Sequence, residues 1–307
     1  MIHRRKRKKT FVLVIPRFED IFHSFYAGEI IKGVTIAASR LKVDILVHVT
    51  DRFDHRGWLD ATLLDPNYID GIIFGDIDND VQVVKKAISR GIPTIVLNNY
   101  LKEPINCIAI DNRKATFDVV HHLIKLGHRR IATITGDLST QAGQMRLDGF
   151  CDALTEDGVR VPKYYITNGS FLRTPARLAA QKLFKLKNRP TAIFVASDVM
   201  ALEVIDVAKA NNIKIPDELS IVGFDDNPLN INSYVRLSTV FQPLVEMGRL
   251  GAERLYEITL GRAPLPVKMM LSARLVERKS TTVCPEDHSV SPESDEEEQT
   301  IAEEEKK

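Results

Sequence analysis

The chain has 307 residues, 44% of them hydrophobic and 27% charged, the profile of a globular protein rather than a disordered, fibrous or membrane one. Its 42 Lys+Arg against 41 Asp+Glu give a net charge of +1, so bulk charge points to neither a nucleic-acid coat nor an acidic substrate. Charge is unevenly placed all the same: residues 1–9 carry six basic side chains and residues 285–307 carry ten acids and two lysines, which reads as a basic tail (1–9) and a disordered acidic tail (284–307) around a nearly neutral body.

From residue 11 the chain alternates short β-branched runs with longer segments of helical spacing, the pattern of βαβ units on parallel sheets. FVLVI (11–15) reads as a strand, followed by a helix over 22–41 whose Ile30, Ile31, Val34, Ala37, Ala38 and Leu41 share one face. Strand 43–49, a helix near 55–64, strand 71–75, helix 80–90 and strand 93–98 come next. CIAIDN (107–112) leads through a cap at Asp111 or Asn112 into a helix ending at Leu126 before Gly127. Strand 130–136, helix 141–157, helix 174–187, strand 191–197, helix 198–211, strand 218–224, helix 243–260 and a final strand about 267–276 complete the body. These are too many strands for one comfortable open sheet, and they fall into two similar halves. The expected fold is therefore α/β, with two doubly wound parallel-sheet lobes.

Cys107, Cys151 and Cys284 are odd in number and far apart, which fits a reducing compartment and gives no disulfide framework. No 18-residue apolar run exists to span a bilayer, and the basic start is followed by too short an apolar stretch for a signal peptide. GxGxxG after the first strand, GxxxxGK[ST], HExxH and GxSxG are all absent. His121-His122 point about 100° apart on a helix and read as surface residues. No catalytic residue, metal or cofactor is expected.

Ligands of open α/β sheets bind beyond the carboxyl ends of strands. At those ends stand Phe25-Tyr26, Asn98-Asn99, a loop leading to Arg146, Ser197-Asp198 and Asp225-Asp226. Carboxylates accept paired hydroxyls, an Arg fork donates, and aromatic faces pack on a sugar ring or a base. Singly, Asp198 also reads as a helix cap, Asp225-Asp226 as turn residues and Arg146 as a solvated helical residue. An enzyme would need a nucleophile and base, and no His stands beside these acids.

With PTIVLNN, IAIDNRKATFDVVHHLIKLGHRRIATITG, QMRLDGFCDAL, ASDVMALEVIDVAKANNIKIPDELSIVGFDDNP, LSTVFQPLVEMGRLGAERL and ARLVERKST, the chain from about 10 to 282 resembles the effector-binding core of the lactose/galactose repressor (LacI/GalR) family. That resemblance implies a periplasmic-binding-protein-like type I clamp with three crossovers, near Ile110, Phe241 and Met270, an N-terminal lobe of 10–110 plus 242–270, and a C-terminal lobe of 111–241 plus 271–283. It implies a sugar or nucleobase effector held by Phe25, Tyr26, Asn98, Arg146, Phe171, Ser197, Asp198, Asp225 and Gln242, with Asp225 and Arg146 foremost. It further implies a cytoplasmic homodimer that switches by lobe closure. The family's DNA-reading helix-turn-helix cannot fit in the ten residues before the first strand. DNA contact is therefore expected only through a missing or separate module, or nonspecifically through residues 4–9. A solute-binding protein of a transport system shares the architecture and stands as the alternative.

Overall fold

The computed structural model describes residues 7–16, 24–50, 65–77, 80–228 and 234–285. Strands β1 (Thr10–Pro16), β2 (Asp44–Thr50), β3 (Gly71–Phe74), β4 (Thr94–Leu97) and β5 (Cys107–Ile110) are joined by β11 (Lys268–Leu271) into a six-stranded sheet of order β11-β5-β4-β3-β1-β2. Every pairing in it is parallel. A second parallel sheet has the order β7-β6-β8-β9, from β6 (Ile131–Thr135), β7 (Ile166–Asn168), β8 (Ala192–Val195) and β9 (Ser220–Val222). Alongside the β9 end of the second sheet runs an antiparallel pair, β10 (Thr239–Phe241) with β12 (Arg274–Val276).

The inner strands β3, β4, β5, β6 and β8 are buried along their whole length, because helices cover both sheet faces and leave no side for polar residues. Of helices α1 (Phe25–Leu41), α2 (Val81–Ser89), α3 (Asn112–Lys125), α4 (Gln141–Glu156), α5 (Arg173–Phe184), α6 (Asp198–Ala210) and α7 (Leu244–Thr259), all but α5 and α7 start at a side-chain cap. Ser24, Asp80, Asp111, Thr140 and Ser197 each accept a first-turn backbone N–H of the helix that follows, which satisfies donors a helix start otherwise leaves unpaired.

The chain passes between the halves three times. After β5 it enters α3, which packs on α4; after β10 it enters α7, which packs on α1. The α1–α7 approach requires glycine: a Cβ on Gly33 would lie 2.0 Å from Val245 O and one on Gly248 2.4 Å from Ile30 O. The third passage divides the segment read as one strand over 267–276. Residues 268–271 extend the six-stranded sheet beside β5, and residues 274–276 pair with β10. The apolar pattern runs through both pieces, so it does not reveal the break. β7 and β10, three residues each, were not expected from the sequence.

The helix read near 55–64, Trp58, residues 1–6 and residues 286–307 lie outside the described residues. The last part of the basic run is tied to the body rather than loose. Arg7 donates to Tyr68 O at 2.8 Å and pairs with Asp70, Lys9 pairs with Asp70 at 3.8 Å, and Lys8 pairs with Asp44. At the other end Cys284 N donates to Leu126 O at 2.7 Å.

Candidate functional site

In the second lobe the site centres on Arg146, which α4 carries inward to 4% exposure. Nε donates to Asn112 Oδ1 at 2.8 Å and Nη1 to Ala196 O at 2.6 Å, while the guanidinium lies 3.6 Å from the Phe224 ring centroid and 5.7 Å from that of Phe171. One hydrogen bond to the buried Asn112 amide, one to a main-chain carbonyl and a flat aromatic support fix the fork in one orientation. Phe171, at φ 60°, fills the space where a Cβ on Gly136 would meet its ring at 2.0 Å.

Asp225 Oδ1 stands 3.9 Å from Arg146 Nη1 and accepts from Gln242 Nε2 at 2.6 Å. Its backbone has φ 128°, and Asp226 follows at φ 57°, conformations that L residues adopt only at a cost when neighbours impose them. The neighbours here are β10, whose Val240 O accepts from Asp225 N at 2.9 Å, and Arg278, which pairs with Asp226. Burial pushes the Asp225 carboxyl up to about 6, against the opposing pull of Arg146 and then Gln242. Burial likewise draws Arg146 down to about 10, while Asp225, Asp198, Asp76 and Tyr26 act to raise it. Loss of hydration outweighs the attraction in both because the two groups are separated by more than a hydrogen-bonding distance.

The first lobe supplies a smaller group. Asn98, buried at φ 66° beyond β4, donates Nδ2 to Asp76 Oδ2 at 2.9 Å; Asp76 Oδ1 accepts Ile77 N at 2.7 Å; and Tyr26, in the first turn of α1, donates its hydroxyl to Gly75 O. Asp76 and Tyr26 are near enough to Arg146 to act on it electrostatically. A link also joins the halves directly: Gln141, the first residue of α4, accepts Tyr100 N at 2.8 Å and donates to Tyr100 O at 3.1 Å.

Of the residues expected from the sequence, Tyr26, Asn98, Arg146, Phe171, Asp225 and Gln242 belong to these groups. Ser197 caps α6 through Met200 N, and Asp198 is fully buried with Oδ1 taken by Thr239 Oγ1 at 2.7 Å and Oδ2 by Asn227 N at 2.8 Å. Asp198 therefore supports the loop that carries Asp225, and Ser197 the start of α6. Phe25 opens α1 and packs against the core. Asp76, Phe224 and the supporting Asn112 were missed. Asp76 carries the same signal as the others, since GIIFGD sets it just past the end of β3.

Residues 120–281 match the periplasmic binding protein-like domain family. The HTH-type transcriptional regulator DegA of Bacillus subtilis is 32% identical over 281 residues, covering 90% of this chain and 82% of DegA. In structure the chain is similar to the transcriptional regulator CelR in complex with cellobiose, at TM-score 0.81 and 27% identity over 90% of this chain and 85% of that one. Its fold also matches that of the lac repressor dimer bound to operator, at TM-score 0.78 and 22% identity over 91% of this chain and 96% of that one. The chain belongs to the LacI/GalR family of transcriptional regulators. Within it, the HTH-type transcriptional repressor CytR of Escherichia coli K12 is 30% identical over 289 residues, covering 92% of this chain and 82% of CytR. The chain spans the LacI/GalR effector-binding domain, and the matched relatives are regulators rather than enzymes, so a transport role is not favoured. No helix among the described residues is long and apolar enough to cross a membrane.

Proposed function

We propose that the chain is a cytoplasmic sensor whose cleft holds one small polar effector, a sugar or a nucleobase, between Arg146, Asp225, Phe171 and Gln242 on one side and Tyr26 and Asn98 on the other. The observation that carries this is the Arg146–Asp225 pair: two opposite charges at 3.9 Å, Arg146 buried and Asp225 half-buried, and not in direct contact. Burying such groups is costly, and a ligand that bonds to both recovers part of the cost. A relative seen with cellobiose supports a sugar.

An effector that touches both lobes binds the closed arrangement more tightly and shifts the population toward it by that difference. The three passages between lobes, near residues 110, 241 and 271, are where the rotation is absorbed. A homodimer, the state in which the lac repressor neighbour is seen, would relay the change to a second copy. In this reading the lobes are the switch and DNA contact lies with other parts of the regulator. No bond is made or broken, and a ligand recovered unchanged after long incubation is the corresponding check.

Isothermal titration of the chain against cellobiose, simple sugars and nucleobases is expected to find a binder, and Arg146→Ala or Asp225→Ala to abolish its heat. Both variants binding like the parent would overturn the assignment.

A further inference from the structure

Each lobe carries the same small device at its side of the cleft. In the first, Asn98 Nδ2 donates to Asp76 Oδ2 at 2.9 Å; in the second, Gln242 Nε2 donates to Asp225 Oδ1 at 2.6 Å. An ionised carboxylate only accepts, so the amide nitrogen must face it and the amide oxygen must turn away. In both pairs that oxygen is buried, and neither Asn98 Oδ1 nor Gln242 Oε1 has a partner in the protein. The side chains are 6% and 4% exposed, and native proteins seldom leave such acceptors unsatisfied.

The charges around them are lopsided. Asp225, Asp198 and Asp76 all act on Arg146, three carboxylates against one guanidinium, whose Nε and Nη1 are already given to Asn112 and Ala196. The site is thus rich in acceptors and negative in sum, with the further N–H groups of Arg146 as its charged donors. A guest satisfies it by giving hydrogens, and a second anion placed there meets like charge with water excluded.

Resting on the reading of the cleft as an effector site, we propose that the Asp76–Asn98 pair is a specificity determinant. It admits an uncharged polyhydroxylated effector that donates hydroxyl hydrogens to the two amide oxygens, one in each lobe, and it turns away anionic counterparts such as sugar phosphates and uronates. Asp76 sets the sign of the charge and holds the Asn98 amide with its oxygen free.

The test is calorimetric titration of the chain with matched probes: glucose against glucose 6-phosphate, galactose against galacturonate, and cellobiose, with adenine and hypoxanthine alongside. A neutral sugar is expected to bind, its anionic counterpart at least about tenfold more weakly. Asp76→Asn, checked by circular dichroism for an unchanged melting profile, should shrink that gap to about threefold or less. The wild-type comparison decides even where the variant fails to fold. Anionic probes binding as tightly as neutral ones, or a nucleobase binding more tightly than every neutral sugar, overturns this inference and leaves the cleft reading standing. Absence of binding by any probe removes the cleft reading and this inference with it.

Discussion

The two lobes contribute to the cleft in different ways. The second holds its polar residues through a web that ends in backbone: Arg146 on Ala196 O, Asp198 on Asn227 N, and Asp225 N on Val240 O. The first offers Asp76, Asn98 and Tyr26 on the ends of two strands and one helix turn. The first-lobe groups end on backbone as well, at Ile77 N and Gly75 O, so the difference lies in charge: the second lobe sets a guanidinium opposite its carboxylate, whereas the first holds its carboxylate with a neutral amide.

That contrast is broken most severely at Arg146. Arg146→Ala leaves the half-buried Asp225 without its counter-charge and the buried Asn112 and Ala196 acceptors without donors, and is expected to lower unfolding free energy by about 2–4 kcal/mol, read from the denaturant midpoint. Substitutions at Tyr26 or Asn98 should cost far less stability while still weakening effector binding. Next in size is Gly136→Ala. Its new methyl displaces the Phe171 ring, costing about 1–3 kcal/mol, and effector affinity should fall with it in the same titration.

Acidification tests the second lobe on its own. In the proposed site the effector bonds to the Asp225 carboxylate, so affinity should be flat above pH 7 and fall up to about tenfold per unit as pH drops through the value of about 6. Stability responds with the opposite sign at this residue: its folded value exceeds the ordinary 3.8, so its contribution is fully present below 3.8 and is lost as pH rises through about 6. His128 opposes it. Fully buried between Thr191 Oγ1 at 3.0 Å and Ser220 Oγ at 3.1 Å, it is pushed below the ordinary 6.5 chiefly by burial. Its contribution is present above 6.5 and is lost as pH falls through that lower value. Unfolding curves between pH 4 and 8 should therefore steepen on the acid side in Asp225→Asn, where the Asp225 carboxyl no longer opposes His128 and His48, whose value burial also lowers. The smallest effect is expected from Gln141→Ala, which removes two exposed hydrogen bonds worth about 0.5–1.5 kcal/mol each at most, seen as a faster effector off-rate.

The alternation of strands and helices was legible because inner strands and amphipathic helices differ in period, and a cap such as Asp111 marks where one gives way to the other. β7 and β10 were not, since three residues carry no period and their partners are remote in sequence. The rule that ligands gather beyond strand ends reached Arg146, Asp225 and Asn98. It also reached Ser197 and Asp198, for which only the fold shows that Met200, Thr239 and Asn227 have claimed their oxygens. Phe224 stayed hidden because its contact with Arg146 is made by tertiary packing alone.

The bridge from Gln141 to residue 100 uses only the amide and carbonyl of Tyr100. Its two ends are thus unequal under mutation: nearly any amino acid except proline at position 100 keeps the connection, whereas position 141 needs a carboxamide of that reach. Drift can rewrite the ring of Tyr100 and leave this bridge in place, whereas a single codon change in α4 removes it.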